Sequence, residues 1–165
     1  MINWITNLSL PSEVIIFILA MLPVSELRGS IPLALGVFHI SYFSAFIFSW
    51  LGSIVPGIFL VYTLSTLSKW LGQRSAYFKK FFDWLFKRTH NRFWKHHEKL
   101  GSLALVLFVA IPLPVTGVWT GSVAAFLFGI PKKLAILLIA VGSFIAGIIV
   151  SLVYFGFFSF FNFIL

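Results

Sequence analysis

Two opposite charges, Glu26 and Arg28, lie two residues apart inside an otherwise apolar stretch, and no other feature constrains the fold as strongly. Pro23, Gly29 and Pro32 surround the pair, and proline and glycine both interrupt regular helix. A charged side chain at the centre of a bilayer costs roughly 2.5–3.5 kcal/mol on insertion scales, so it needs a partner or water. The stretch therefore predicts either an ion pair that holds the fold together or a substrate or ion site.

The composition indicates that lipid surrounds this stretch. Of 165 residues, 60% are hydrophobic and 10% are charged, and the mean hydropathy is +1.04. Soluble domains are about 45–50% apolar and about 25% charged, so this chain has too little polar surface to cover itself in water. The first residues lack the features of a secretory signal peptide, and we expect one integral membrane domain over residues 1–165. Cysteine is absent, which excludes disulfides, thiol catalysis and thiolate metal sites.

Apolar pieces of half membrane length flank the charged stretch and recur later in the chain. Residues 13–22 and 32–38 form the first two pieces, and 102–111 and 123–129 form the second two. Ten helical residues reach about 15 Å, which is half of the ~30 Å hydrocarbon core. Irregular backbone at membrane depth is tolerated only where protein buries it or where it lines a cavity. We therefore predict two re-entrant helical hairpins, shaped by Pro23, Gly29, Pro32, Pro112, Pro114, Gly117 and Gly121.

A long uncharged run follows each predicted hairpin. Residues 43–68 are long enough for a full span, which Pro56 is expected to kink. Residues 134–165 form a second run, which is expected to span the bilayer and to continue along the far interface as a Phe-rich end. The predicted fold is an all-α integral membrane protein with two inverted repeats, 13–68 and 100–165. Each repeat is a re-entrant helical hairpin followed by a full transmembrane helix.

A basic segment, 69–99, joins the two repeats and holds nine of the twelve Lys and Arg residues. Its aromatic-rich apolar residues recur at helical spacing, and basic residues fill the other face. This pattern predicts a basic amphipathic helical segment on anionic headgroups, and a pair of soluble cytoplasmic helices is the alternative. Nucleic-acid binding is not expected, because the charges flank apolar spans. The predicted lipid-surface residues are Lys79, Lys80, Lys87 and Arg88.

Two topologies are compatible with these elements, and the placement of charge distinguishes them. If 13–38 and 102–129 each cross the membrane once, 69–99 and the pair Lys132 and Lys133 lie on opposite sides. If both are re-entrant, eleven of the twelve basic residues share one side, as the positive-inside rule expects. We favour the re-entrant topology in the cell (inner) membrane, with 69–99 and 132–133 cytoplasmic and both termini on the opposite side.

The predicted hairpin turns bring polar chemistry towards the middle of the membrane. A half-helix that begins near residues 29–32 would point its positive end into a cavity, and Arg28 would add a permanent charge suited to phosphate or carboxylate. Glu26 is then a proton-coupling carboxyl, or a counter-ion for Arg28 or for a cationic drug. The second hairpin offers hydroxyls and an aromatic face. The predicted substrate- or ion-binding residues are Glu26, Arg28, Thr116, Trp119 and Thr120.

No catalytic, metal-binding or cofactor motif occurs in the sequence. A nucleophile elbow, a phosphate-binding loop and paired acids are all absent. His90, His96 and His97 lie among lysines without a carboxylate cluster, so no metal site is predicted. We expect a protein that is not an enzyme and that takes no cofactor.

Two motifs carry a resemblance to a known family. Residues 26–32 read ELRGSIP, and residues 112–122 read PLPVTGVWTGS. In order and spacing they resemble the small multidrug export family, over nearly the whole chain. The layout is also similar to that of the DedA/VTT superfamily, whose members are implicated in moving lipids such as polyprenyl phosphate carriers. DedA proteins usually carry further charged residues in the second hairpin, and this chain has none there.

The resemblance implies a multi-pass membrane transporter that exports small molecules or drugs from a midplane site formed by the two hairpins. Translocation of anionic lipids of the polyprenyl-phosphate type is the alternative that the DedA-like layout implies. A non-transporting membrane scaffold, which recruits anionic lipid or a partner through 69–99, is the alternative from another class. Proton coupling and a homo-oligomer that seals the cavity are further expectations.

Overall fold

The computed structural model describes residues 10–74, 80, 101–113 and 116–164. Pro114 and most of the basic segment 69–99, including Lys79, Lys87 and Arg88, lie outside the described residues. Lys80 is described as helical and exposed. The prediction of a basic amphipathic segment on the membrane surface therefore stays a prediction.

Helices with short connections account for the described residues, and no strand occurs among them. The all-helical fold class is therefore confirmed for the part of the chain that the structure describes. Six helices have defined bounds: α1 Ser12–Met21, α2 Glu26–Gly36, α3 Tyr42–Arg74, α4 Gly101–Ala110, α5 Val118–Leu127 and α6 Lys132–Ile164.

The first hairpin consists of α1 and α2, which pack against each other across a tight turn. Helix α1 ends where Leu22 becomes extended, with φ −75° and ψ 138°, one residue before Pro23. The Ser25 hydroxyl donates a hydrogen bond to the Leu19 carbonyl, and the Glu26 N–H donates to the Leu22 carbonyl at 3.0 Å. These bonds satisfy backbone groups that helix ends leave without intrahelical partners, and they stabilise the turn.

Helix α2 begins earlier than the sequence pattern predicted. We expected the second half-helix to start near residues 29–32 with Pro32 in its first turn, but α2 starts at Glu26 and Pro32 is an interior residue. The prediction was wrong because the N–H groups of Glu26 and Gly29 already bond carbonyls of the preceding turn. Proline has no N–H to donate to the Arg28 carbonyl four residues earlier, so α2 lacks one helical hydrogen bond.

The second hairpin consists of α4 and α5. A Cβ placed on Gly121 would come within 2.5 Å of the Val109 side chain, so the two helices touch at this point. The Thr116 hydroxyl donates to the Ile111 carbonyl at 2.8 Å and stabilises the turn between the helices. Helix α5 begins directly after Gly117.

The connection between α5 and α6 is a tight glycine turn. Gly129 has a φ of +68°, in the left-handed region that glycine adopts without strain. The Ile130 N–H donates to the Ala125 carbonyl at 3.0 Å, the bond that closes many helix C-termini. Pro131 and Lys132 follow, and α6 starts at Lys132.

Both predicted uncharged runs lie in long apolar helices. Helices α3 and α6 have 33 residues each and are about 50 Å long, which exceeds the ~30 Å hydrocarbon core. Their apolar windows are Tyr42–Ser68 and Lys132–Phe157. Large hydrophobic side chains such as Phe43 (74% exposed) and Leu152 (67% exposed) project from them. A bilayer provides the apolar surroundings that such surfaces require.

The chain forms two compact units, and each unit contains one hairpin. The first unit comprises Met1–Val55 and Phe144–Leu165, and the second comprises Pro56–Ser143. The boundaries divide each long helix near its middle. Each unit therefore contains a hairpin, the first half of the long helix that follows it and the second half of the other long helix.

In the first unit, α3 and α6 run antiparallel. The Tyr42 ring packs edge-on against the Phe155 ring at 5.5 Å, and the Trp50 ring packs against the Phe144 ring at 5.4 Å. Residues further along α3 therefore contact residues earlier in α6. The hairpin packs on these helices through two buried clusters, one of Ile16, Ala34 and Ala45, the other of Leu27, Ile31, Phe46 and Ala146.

In the second unit, α3 and α6 also run antiparallel. A Cβ on Gly57 would lie 3.6 Å from the Ile139 side chain, and the Lys132 ammonium lies 4.9 Å from the centre of the Tyr62 ring. Residues further along α3 again contact residues earlier in α6. The core of this unit consists of Val61, Leu105, Val109, Val118, Ala125, Ile130, Ala135 and Ile139.

Candidate functional site

Glu26 is the most unusual residue of the first hairpin. It is the first residue of α2, and only 8% of it is exposed. Its φ of +37° lies in the left-handed region, which costs a residue with a Cβ about 1–2 kcal/mol. Strain of this kind persists only where the surrounding structure enforces it, and it is concentrated at functional sites. The first turn of a helix is also a favourable place for an acidic side chain, because of the helix dipole.

Arg28 follows two residues after Glu26 on α2 and is half-buried. Ser30 lies four residues, about one helical turn, after Glu26. The acid, the base and the serine therefore lie within little more than one turn of the same helix.

Buried serines of α2 and α3 lie within the first unit, and the sequence reasoning missed them. Ser30 and Ser49 are completely buried, and the hydroxyl of each has no hydrogen-bond partner. Ser53 is also completely buried, and its hydroxyl donates to the Trp50 carbonyl at 2.8 Å. Helical spacing was the available signal, because Ser30 lies four residues after Glu26 and Ser53 four after Ser49.

The predicted hydroxyls of the second hairpin bond the turn and the start of α5. Thr116 donates to the carbonyl of Ile111 or of Leu113, at 2.8 and 2.9 Å, and its oxygen accepts from the Leu113 N–H at 3.2 Å. Thr120 donates to the Gly117 carbonyl at 3.4 Å, at the long end of hydrogen-bond distances. Thr116 therefore has a structural task in the turn, and its predicted contact with substrate stays a prediction.

Two further side chains follow on α5. Trp119 is half-buried in the first turn of the helix. Ser122 is completely buried, and its hydroxyl donates to the Val118 carbonyl at 2.7 Å and to the Gly57 carbonyl of α3 at 3.3 Å. Ser122 thus joins α5 to α3 within the second unit.

A cavity of about 260 Å³ lies in the second unit, at the end of α3 and the beginning of α6. Its walls are mostly apolar, and the polar groups of Ser65, Ser68 and Lys132 contribute to them. A mostly apolar space with a lysine in its lining suits an amphiphile with a negative head. The other lining residues are Val61, Ala125, Phe126, Gly129, Ile130, Pro131 and Ala135.

The predicted site residues belong to both units. The first unit holds Glu26 and Arg28 on one helix, and the second holds Thr116, Trp119 and Thr120 around the start of α5. A common site for all five stays a prediction. Among the described residues, no group of three or more His, Asp or Glu side chains is arranged to hold a metal ion.

These features define a class of protein. Two long apolar helices, half-length helices in hairpins and a buried carboxylate at a helix start are consistent with an all-helical membrane protein. The chain belongs to the family described as "Putative small multi-drug export protein", whose model matches residues 26–149. The match begins at Glu26 and covers both hairpin motifs, so the resemblance read from those motifs is confirmed. No curated protein and no solved structure matches the chain significantly.

Proposed function

We propose that this protein is a multi-pass membrane transporter that exports small molecules through a cavity between re-entrant hairpins. The observation that carries the proposal is Glu26, a buried and strained acid at the start of a half-length helix. An ionisable group inside a membrane segment is expensive, and such groups usually mark substrate or ion pathways. Membership of the export family supports the same assignment. The proposed activity moves a substrate without converting it, so it needs no enzyme chemistry and no cofactor.

The antiparallel course of α3 and α6 supports the re-entrant topology. If each hairpin crossed the membrane once, the two long helices would cross in the same direction and would run parallel. If each hairpin enters and leaves on one face, the long helices cross in opposite directions and run antiparallel. The antiparallel ring contacts in the first unit match the second case. The repeats are then inverted, an arrangement in which substrate sites lie near the midplane.

The charges of the long helices support an orientation for the protein. Arg74 ends α3, and Lys132 and Lys133 begin α6. Positively charged residues beside spans favour the cytoplasmic side. We therefore place these ends, and the segment 69–99, in the cytoplasm of a cell with the protein in its inner membrane. Both termini are then on the opposite side.

Within this proposal, Glu26 and Arg28 have separate tasks. Their opposite charges support one partner for the acid and another for the base. Arg28 suits a negatively charged part of a substrate, since its planar fork binds phosphate or carboxylate. Glu26 suits a coupling proton or cation. Trp119 and Thr120, with Thr116, are proposed to complete the contacts to the substrate from the second hairpin.

The test uses the full-length protein in liposomes, with efflux of a cationic dye followed under a proton gradient and, in parallel, under a Na⁺ gradient. Glu26→Gln and Arg28→Ala are expected to lower the initial rate at least tenfold, while the melting temperature in detergent stays within a few degrees of wild type. Glu13→Gln is the matched control, since Glu13 is a half-buried acid in the first turn of α1. A Glu26→Gln variant that folds and exports at the wild-type rate would contradict the proposal.

Translocation of anionic lipid is the second candidate, and the cavity beside Lys132 favours it. The apolar walls suit acyl or prenyl chains, and the ammonium suits a phosphate head. A second arm of the experiment therefore follows flipping of a polyprenyl phosphate. Lys132→Gln is expected to slow that flipping at least tenfold and to leave dye efflux unchanged if the lipid is the substrate. If neither probe moves, and neutralising Lys79, Lys80, Lys87 and Arg88 abolishes function in cells, the protein is a scaffold.

A further inference from the structure

Among the residues that the structure describes, most buried serine hydroxyls bond the backbone of their own helix. Ser53, Ser143 and Ser151 donate to carbonyls three or four residues earlier, at 2.8, 3.1 and 2.7 Å. Ser30 and Ser49 are the exceptions among the described residues, since both are completely buried and neither hydroxyl has a hydrogen-bond partner. A buried polar group without a partner is destabilising, and such groups in native proteins call for an explanation.

The two exceptions lie at the same level of the first unit. Ala34 of α2 and Ala45 of α3 belong to one buried cluster with Ile16 of α1. Ser30 is one turn before Ala34, and Ser49 is one turn after Ala45. Helices α2 and α3 are joined by a short loop and run in opposite directions. One turn back along α2, from Ala34 to Ser30, and one turn forward along α3, from Ala45 to Ser49, therefore point in the same direction. The helical repeat therefore places the two hydroxyls on facing stripes.

Close packing of helices does not explain these hydroxyls. Small residues let helices approach, and alanine serves this purpose as well as serine. The next positions on the same two stripes are in fact alanines, Ala34 and Ala45, and both are completely buried. Ser30 and Ser49 differ from these alanines by a hydroxyl group that has no hydrogen-bond partner.

We propose that Ser30, Ser49 and the Glu26 carboxylate form a binding site for a small monovalent cation such as Na⁺. Glu26 lies one turn before Ser30 on α2 and is buried. All the proposed ligands are oxygens, which hard cations prefer, and a carboxylate supplies negative charge.

The cation gives the proposed transporter a coupling ion, and in this respect the inference rests on the proposed function. Broken helices of transporters commonly hold coupling ions at such positions. The binding of the cation is nevertheless measurable without any transport. Loss of dye efflux in a protein that still binds Na⁺ would overturn the export proposal and leave the cation site intact.

The test measures the melting temperature of the full-length protein in detergent, in NaCl and in choline chloride of equal ionic strength. Na⁺ at a hundred times its dissociation constant is expected to raise the melting temperature by roughly 5 °C. Ser30→Ala, Ser49→Ala and Glu26→Gln are expected to lose this rise. In choline chloride, Ser30→Ala and Ser49→Ala should be at least as stable as wild type, because each removes an unpartnered hydroxyl.

Ser143→Ala is the matched control, since Ser143 is equally buried but its hydroxyl is committed to the Ala140 carbonyl. It is expected to melt lower than wild type in both salts and to keep the full rise with Na⁺. The proposal is overturned if Na⁺ raises the melting temperature of wild type and of Ser30→Ala equally, or if it raises neither. A rise that depends on acid pH and on Glu26 alone would identify a proton site instead and would also overturn it.

Discussion

The hydroxyl groups of this protein differ in whether they already form hydrogen bonds with the backbone. The Thr116 hydroxyl takes part in three hydrogen-bond contacts of the turn, whereas the Thr120 hydroxyl has one long contact. Ser122 is bound to two carbonyls, and Ser49 to none. A hydroxyl that already bonds the backbone serves the fold, and one that does not is available to a ligand.

The two threonines of the second hairpin provide a paired prediction. Thr116→Val is expected to destabilise the protein by about 1–2 kcal/mol, because the Leu113 N–H and the Ile111 carbonyl both lose their contact with the hydroxyl. Thr120→Val is expected to cost less than about 0.5 kcal/mol, because its hydrogen bond is long. Thermal melting in detergent measures both. Equal melting temperatures for the two variants would contradict the structural role assigned to the Thr116 hydroxyl.

Sequence reasoning identified some of these residues and missed others for a physical reason. Glu26 and Arg28 were found because a charge inside an apolar stretch is conspicuous in the sequence alone. Ser30 and Ser49 were missed because a serine in a membrane helix usually bonds its own backbone, and only the coordinates reveal that these two do not.

Close approach between helices depends on glycine at defined points of the long elements. A Cβ on Gly142 of α6 would lie 2.8 Å from both the Val106 carbonyl oxygen and the Val109 Cβ of α4. A Cβ on Gly52 of α3 would collide with the Phe17 carbonyl oxygen of α1. In both cases part of the obstacle is backbone, which cannot rotate away. Each long helix therefore has a glycine where a hairpin packs against it.

Two glycines of α6 provide the prediction at this scale. Gly142→Ala is expected to destabilise the protein by about 1–3 kcal/mol, because the methyl group forces α6 away from α4. Gly156→Ala is the matched control in the same helix, where a Cβ meets nothing within 4 Å. That variant is expected to be stabilised by about 0.5–1 kcal/mol, because alanine favours the helix. The melting temperatures of the two variants test this prediction. A Gly142→Ala variant as stable as Gly156→Ala would contradict the close contact between α6 and α4.

The existence of the elements could be predicted from the sequence better than their boundaries. Uncharged runs and half-length apolar pieces are properties of composition, so both long helices and both hairpins were expected where they occur. The start of α2 was misplaced because Pro32 was taken for a first-turn residue, whereas backbone bonds at Glu26 and Gly29 start the helix earlier. Bonds of this kind depend on the turn conformation, which a one-dimensional pattern does not contain.

At the scale of the whole chain, the division into units differs from the division into sequence repeats. The repeats 13–68 and 100–165 each end in a whole long helix, whereas each compact unit takes half of both long helices. Each hairpin therefore packs among segments from both halves of the sequence. This exchange could not be predicted, because it depends on the pairing of α3 with α6. That pairing is also the observation that bears most directly on topology.

Membrane topology is the prediction that concerns the whole molecule. Single cysteines at Arg74 and Lys133 are expected to react with an impermeant maleimide only after the membrane is permeabilised. The reason is that antiparallel long helices place the end of α3 and the beginning of α6 on the cytoplasmic side. A cysteine at Ser41, in the exposed loop before α3, is expected to react from outside. The native chain contains no cysteine, so the parent protein is the control for background labelling. Reaction of Arg74→Cys and Lys133→Cys from opposite sides would require a parallel pair of spans, and the re-entrant hairpins would then be wrong.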